Sequence, residues 1–381
     1  MKQIYFDNAA TTPMHDAVIE RMVKTMQLQY GNPSSTHSVG RSAKSLLETA
    51  RKTIASYFNV QASEIVFTSG GTEADNLILR SAVRDLGVAE IITSKLEHHA
   101  VLHTVEHLQK EYGIVISYVK LLDNGAIDMA DLERLLQSPN KKLVSLMHVN
   151  NEIGNILDLN KVAAICKANG ALFHSDTVQS VGHYALDLSI VPIDFLAASA
   201  HKFHGPKGVG FAFIRKSSGI KSSIFGGEQE RGYRAGTESI HNIVGMEEAL
   251  KLSYTDLENN RAQIQELKTY FIDQLKSLSP NMLFNGNCEH PDLSTYTLIN
   301  VCLPVAPNKG GMLHFQLDLN GIACSKGSAC QSGSNQNSHV LSEILNAEDL
   351  LKPSVRFSFS SLNTKDEVDY VIGVLKEFVE N

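Results

Sequence analysis

Between about residue 65 and residue 215, short apolar runs take turns with longer amphipathic stretches, and that rhythm limits the folds open to the chain. The runs are Ile65-Val66-Phe67-Thr68, Ile91-Ile92-Thr93-Ser94, 114–119, 143–149, Ala171-Leu172-Phe173 continuing to Asp176, Asp194-Phe195-Leu196-Ala197-Ala198 and 208–214. Each is too short for a helix, is apolar and ends in polar or glycine residues, so each reads as a buried strand. Helical patterns fill gaps such as 128–136 and 158–168. Alternation of this kind predicts an α/β fold with a mostly parallel, seven-stranded sheet covered on both faces. Ahead of it, an extended segment closes on Pro13 and helices are expected at about 14–29 and 41–58. Behind it, one broken helix over about 241–278 leads to a strand at 298–303, a helix at 312–320, a loop at 321–338, a strand at 355–359 and a last helix at 365–379. That order describes a small α+β unit. With 381 residues, 43% of them hydrophobic, the chain can bury two cores. The expected division is a large domain of residues 13–255 and a small domain of 1–12 with 256–381.

Ligands of open parallel sheets gather outside the strand C-termini. Several chemically capable residues fall there. Lys202 follows the run 194–198 and precedes the turn His204-Gly205-Pro206. Taken alone it is a solvated loop lysine, but a desolvated lysine loses its proton and its amine condenses with aldehydes. Asp176 ends the preceding run; an aspartate there is a turn former or a partner for a pyridinium nitrogen. About 26 residues separate the two, the size of one crossover. Thr68-Ser69-Gly70-Gly71-Thr72 leads from a strand into a helix, an arrangement that suits an anion such as phosphate. His98 opens another helix, and Asn151 sits before Gly154 in a turn. No spacing suitable for a metal site accompanies His98 and His99.

Asp176-x-x-Gln179 followed by Ser199-x-His201-Lys202 resembles the class V aminotransferase family, and the chain is similar to its cysteine desulfurases of the NifS/IscS type. The similarity runs from Tyr5-Phe6-Asp7-Asn8-Ala9-Ala10-Thr11-Thr12-Pro13 to Ser354-Val355-Arg356-Phe357-Ser358. It implies the fold of type I pyridoxal 5'-phosphate (PLP) transferases, with Lys202 anchoring the cofactor and Asp176 pairing its ring nitrogen. By the same resemblance Gly71, Thr72, Ser199 and His201 bind the phosphate with Thr237 of a partner subunit, so that a homodimer is expected. Gln179 and Asn151 lie at the ring oxygen, and His98 lies against the ring and takes part in proton transfer. Asn32, in Gly31-Asn32-Pro33-Ser34, lies near the substrate with Asn151.

The segment 321–338 is rich in small and polar residues and reads as a mobile loop. Cys330 stands in its middle, away from apolar runs, where a thiol is a candidate nucleophile. Gly327-Ser328-Ala329-Cys330 with Ser332-Gly333-Ser334 resembles the catalytic segment of group I desulfurases. Cys324, beside Ile322-Ala323, is expected to have no catalytic part. Arg356 lies between apolar strand neighbours and needs an anion: a structural carboxylate, or, as the resemblance implies, the substrate carboxylate.

The expected reaction converts L-cysteine to L-alanine and leaves the sulfur as a persulfide on Cys330, to be passed to an acceptor or iron-sulfur scaffold protein. A selenocysteine lyase or a cysteine-conjugate lyase would share the first steps and is the alternative. An aminotransferase has no use for a loop cysteine, and a PLP-binding regulator has none for the full set of reactive residues. A net charge of −7 argues against nucleic acid or an anionic membrane as partner. The N-terminal residues lack a signal-like apolar region, no stretch is apolar enough to span a bilayer, and five cysteines form no disulfide framework, so a cytoplasmic protein is expected.

Overall fold

The computed structural model describes residues 3–216, 218–306, 309–326 and 338–380. Its strands are β1 (Ile4–Tyr5), β2 (Ile65–Thr68), β3 (Glu90–Thr93), β4 (Val115–Tyr118), β5 (Lys142–Ser145), β6 (Leu172–Asp176), β7 (Phe195–Ser199), β8 (Gly210–Ile214), β9 (Leu283–Phe284), β10 (Leu298–Cys302), β11 (Ile322–Ala323) and β12 (Ser354–Ser358). The helices are α1 (Asp16–Leu28), α2 (Ser38–Tyr57), α3 (Gly71–Leu86), α4 (His99–Tyr112), α5 (Met129–Leu135), α6 (Leu159–Ala168), α7 (Ile240–Thr255), α8 (Leu257–Leu278), α9 (Gly310–Leu319), α10 (His339–Ile344) and α11 (Lys365–Glu380).

Seven strands form one sheet in the order β2-β8-β7-β6-β5-β3-β4. Within it β8 runs antiparallel to both its neighbours and the other pairings are parallel, so six strands point the same way. β2, β3 and β5 to β8 are buried almost throughout, as strands covered on both faces must be, whereas the edge strand β4 is partly exposed. Burial of each large apolar side chain here, such as Phe173 or Leu196, is worth roughly 1.5–3 kcal/mol. The β6-to-β7 crossover differs from the usual unit: residues 177–194 contain turns and no α-helix. Val181, Leu186, Leu188 and Ile193 are spaced without helical period, yet all pack into the core below the sheet. Gly182 permits this path, since at its φ of 82° a Cβ would come 2.5 Å from Phe203.

A second core gathers Ile4 and Phe6 with apolar residues of α8, β10, β12 and α11. The expected broken helix is α7 and α8, parted at Asp256. Among the described residues no helix is long and apolar enough to cross a membrane.

The outer edge of β2 is closed by an ion pair. Arg51 on α2 donates to both carboxylate oxygens of Glu230, at 2.6 and 2.8 Å, and to the Ile65 carbonyl at 2.9 Å. Glu230 in turn accepts from the Phe67 N–H at 2.7 Å, and the guanidinium lies 4.4 Å from the centre of the Phe67 ring. Both side chains are 2% exposed. The pair thus satisfies a free strand edge and ties down the glycine-rich segment 224–238, where Glu230 and Arg231 take positive φ. Glu230→Ala leaves the buried Arg51 guanidinium with only the partly exposed Glu48 carboxylate, 3.1 Å from Nε, among the described residues, and is expected to cost about 3 kcal/mol, read as a lower thermal midpoint. Arg51→Met combined with Glu230→Met is expected to recover part of that loss. An unchanged midpoint in the single variant would refute the assignment.

Candidate active site

The six co-directed strands end beside one another, and a cleft of about 200 Å³ opens there. Gly71, Thr72, His98, Asn151, Asp176, Gln179, Ser199, His201, Lys202 and Arg356 all line it. The residues come from six separate stretches of sequence: the seven-stranded sheet brings five of them together, and β12, in the second sheet, adds Arg356.

After β7 the chain makes one 3-10 turn, Ala200–Lys202, which turns the lysine back over the strand ends. Its Nζ donates to the carbonyls of Ala9 at 2.6 Å and Ala10 at 2.9 Å. Gln179 Nε2 donates to the same Ala9 carbonyl at 2.9 Å. The N-terminal segment is therefore a wall of the site, a role visible in sequence only as a motif of small residues. Asp176 closes β6, is 5% exposed, and accepts from the Val178 N–H at 2.9 Å. Burial pushes its carboxyl up to about 6, opposed by that N–H and by the Lys202 charge.

His98 follows β3 as the N-cap of α4, its Nδ1 accepting from the Ala100 N–H at 3.1 Å. That hydrogen bond commits Nδ1 as an acceptor and places the ring proton on Nε2. Burial, and then Lys202 and neighbouring histidines, lower its basicity to about 4, so the imidazole is neutral at ordinary pH. His99 is not a capping residue: its ring stacks on His103 and lies 4.5 Å from His339.

At the other end, Ser69 and Gly70 turn the chain from β2 into α3, whose N-terminus has no side-chain cap. Its first N–H groups remain available to an anion, aided by the helix dipole. A Cβ at Gly71 would lie 2.5 Å from Val178 Cγ2, so only glycine lets this turn approach the strand ends. Ser199 and His201 flank it, and Lys207 lines the adjoining opening. Lys207 went unassigned from sequence, where a lysine in a Gly/Pro turn looks like surface.

Arg356 is 1% exposed on β12 and reaches the cleft from the second core. Of the two expected kinds of partner, the structure holds a carboxylate of the protein itself. Nη2 pairs with Asp7 Oδ1 at 2.9 Å and Nη1 donates to the Asn151 carbonyl at 2.8 Å, while Nε has no partner among the described residues. Asp7 was missed from sequence, because its link to Arg356 spans 349 positions. It also accepts from Ser325 Oγ at 2.7 Å, at the base of the loop. Cys324 beside it is packed against the second core, and burial pushes its thiol up to about 12. A thiol so placed is little ionised at ordinary pH. Cys330 lies outside the described residues. Asn32 is exposed, with its side chain accepting from Ser34 N, and Thr237 is exposed; neither lines the cleft of its own chain. Among the described residues no group of three or more His, Cys, Asp or Glu is placed to hold a metal ion.

The profile of the family described as Aminotransferase class-V matches residues 4–371. A protein named cysteine desulfurase IscS from Dictyoglomus turgidum is 38% identical over 100% of this chain and 95% of its own length. One of the same name from Methanosarcina thermophila is 37% identical over 100% of this chain and 92% of its own. A solved structure titled NifS-like protein superposes with a TM-score of 0.90 at 34% identity, covering 100% of both chains. With a cleft of this make-up at the strand ends and similarity over its whole length, the chain belongs to the class V aminotransferase family, in the branch of the IscS-type cysteine desulfurases.

Proposed function

We propose that the protein is a PLP-dependent cysteine desulfurase that converts L-cysteine to L-alanine and passes the sulfur through Cys330 to an acceptor. The observation that carries this reading is the convergence of the Lys202 amine, the buried Asp176 carboxyl and the Arg356 guanidinium on one cleft.

The cleft fits PLP. The uncapped N-terminus of α3, with Gly71 where no Cβ is tolerated, suits a phosphate. The Asp176 carboxylate accepts from Val178 N and keeps acceptor capacity for a ring N–H. When bound, PLP supplies an aldehyde that condenses with amines and a ring that accepts electrons from the substrate. Gly71, Thr72, Ser199, His201 and Thr237 of the partner subunit would hold its phosphate, Asp176 its ring nitrogen, and Gln179 and Asn151 its ring oxygen. His98 would lie against the ring.

Lys202 carries the proton taken from the substrate α-carbon. His98, neutral and protonated on Nε2, assists proton movement at the substrate without adding charge. Arg356, with Asn151, receives the substrate carboxylate, using donor capacity that Asp7 and the Asn151 carbonyl leave unfilled. The Cys330 thiolate attacks the substrate sulfur. A sulfur–sulfur bond forms, the carbon–sulfur bond breaks with its electron pair going to carbon, and protonation of that carbon gives alanine.

The same proposal includes a large unit of 13–255 and a small unit of 1–12 with 256–381, supported by the second core joining Ile4 and Phe6 to the C-terminal elements. It includes a homodimer: Ile19, Val23 and Met26 form an exposed apolar stripe on α1, and Phe225 is 82% exposed, a surface that suits burial against a second copy. Sedimentation at micromolar concentration is expected to give twice the chain mass, and a monomer would refute it. The acceptor is a sulfur-carrier or iron-sulfur scaffold protein, and the free thiols of the four described cysteines suit a reducing cytoplasm.

Cys330→Ser is expected to keep the visible absorbance of bound PLP yet form no alanine from cysteine, whereas Lys202→Ala is expected to lose that band. Undiminished alanine production by Cys330→Ser would refute the nucleophile assignment. Arg356→Lys keeps the charge but loses the fork, and KM for L-cysteine is expected to rise about tenfold or more with a smaller change in kcat. Steady-state kinetics with an unchanged KM would remove Arg356 from substrate binding.

A further inference from the structure

Asp75 occupies a place where the helical pattern calls for an apolar residue. It lies on the buried stripe of α3 with Gly71, Ala74, Ile78 and Ala82, is 1% exposed, and also lines the PLP cleft. Its Oδ1 is 3.3 Å from Nε2 of His174, and neither atom has a hydrogen-bond partner among the described residues, so two orphaned buried polar atoms face each other. Among the described residues no lysine or arginine forms an ion pair with it. His174, also fully buried, has its Nδ1 2.9 Å from Ser145 Oγ on the adjoining strand β5. Asp176 is two residues further along β6 and so projects from the same face as His174. Glu97, before α4, is a third buried carboxyl in the same region; its Oε1 accepts from Ser94 Oγ and Met147 N, and its Oε2 has no partner among the described residues. Against these three acids the site sets the Lys202 amine, the imidazoles of His98 and His174, and the Arg356 guanidinium, which is paired with Asp7.

An ionised carboxylate at the position of Asp75, with no cation beside it, would carry a penalty of several kcal/mol. A neutral acid there avoids that penalty and can donate to His174. We propose that Asp75 is a positioning residue, held as the neutral acid and linked through His174 to Ser145, so that Asp176 alone presents negative charge to the cofactor ring. The hydrogen-bond chain then has one direction: the Asp75 hydroxyl donates to His174 Nε2, and His174 Nδ1–H donates to Ser145 Oγ.

The electrostatics agree with the geometry. Burial, with Asp176 and Glu97 adding to it, drives the Asp75 carboxyl well above the usual carboxylate range. Burial likewise raises Glu97 to about 8 and lowers His174 to about 3, which keeps that imidazole uncharged.

The inference rests on the cleft being the PLP site, and the test separates the two. The full-length protein is loaded with PLP, and the visible absorbance of the bound cofactor is titrated with pH while its dissociation constant is measured by equilibrium dialysis. Asp75→Asn replaces the acid by a neutral donor of the same shape. It is expected to leave the spectral midpoint within about 0.3 pH unit and PLP affinity within about threefold of the parent. Asp75→Ala removes the donor, and PLP affinity is expected to fall about tenfold, the scale of one buried hydrogen-bonding group left unsatisfied. A midpoint displaced by a unit or more in Asp75→Asn would mean that an ionised Asp75 had been removed, and would overturn the proposal. So would an Asp75→Ala protein that matches the parent in both measurements. Absence of the band from the parent protein would instead overturn the cofactor reading beneath it.

Discussion

Six strands that point the same way must all release their chains at one end of the sheet, and the rest of the site follows from that constraint. Each released chain has to turn over the strand ends before it can return along a face. These turns therefore collect polar residues that the sheet itself cannot hold. Gly71, His98, Asn151, Asp176 and Lys202 are close in space because β2, β3, β5, β6 and β7 are neighbours or near neighbours in one parallel sheet. The antiparallel strand β8 starts at the same end, and Lys207 just before it is brought to the phosphate side.

Desolvation then sets the chemistry. The same burial that stabilises the apolar core lowers the basicity of His98 and His174 and raises that of Asp75, Glu97 and Asp176. Charges survive only where a partner meets them. Arg356 keeps its charge in a nearly inaccessible position because Asp7 and the Asn151 carbonyl face it, and Arg51 because Glu230 does. The two pairs act differently. Arg51 is saturated by its partners and serves the sheet edge, whereas Arg356 lines an open cleft and retains an unpaired Nε.

Much of this was written in local sequence. The seven apolar runs predicted the seven strands, and the residues just beyond them predicted most of the cleft, because a strand and its following turn are encoded side by side. The break between α7 and α8 was visible for the same reason. The packing of Cys324 against the second core was legible from its apolar neighbours Ile322 and Ala323. The resemblance to the family added roles for Asn32 and Thr237 that no local pattern supplies, and both lie outside the cleft of their own chain; Cys330, singled out by its loop as well as by the resemblance, lies outside the described residues.

The order of strands, the partners of buried charges and the walls of the site were decided only by the folded chain. Periodicity reports that a residue is buried but not what faces it, so Asp7 and Arg356, 349 positions apart, gave no sign of each other. Nor did Asp75 and His174, since a carboxylate on a helix and an imidazole on a strand are each ordinary in sequence and become a pair only when α3 settles on β6. The helix-free crossover was hidden as well, because its apolar residues have no period to read. Sequence determined which segments would be strands and which turns would carry chemistry, since both depend on near neighbours. Tertiary structure decided which charges would be neutralised and by what, since desolvation and pairing depend on neighbours distant along the chain.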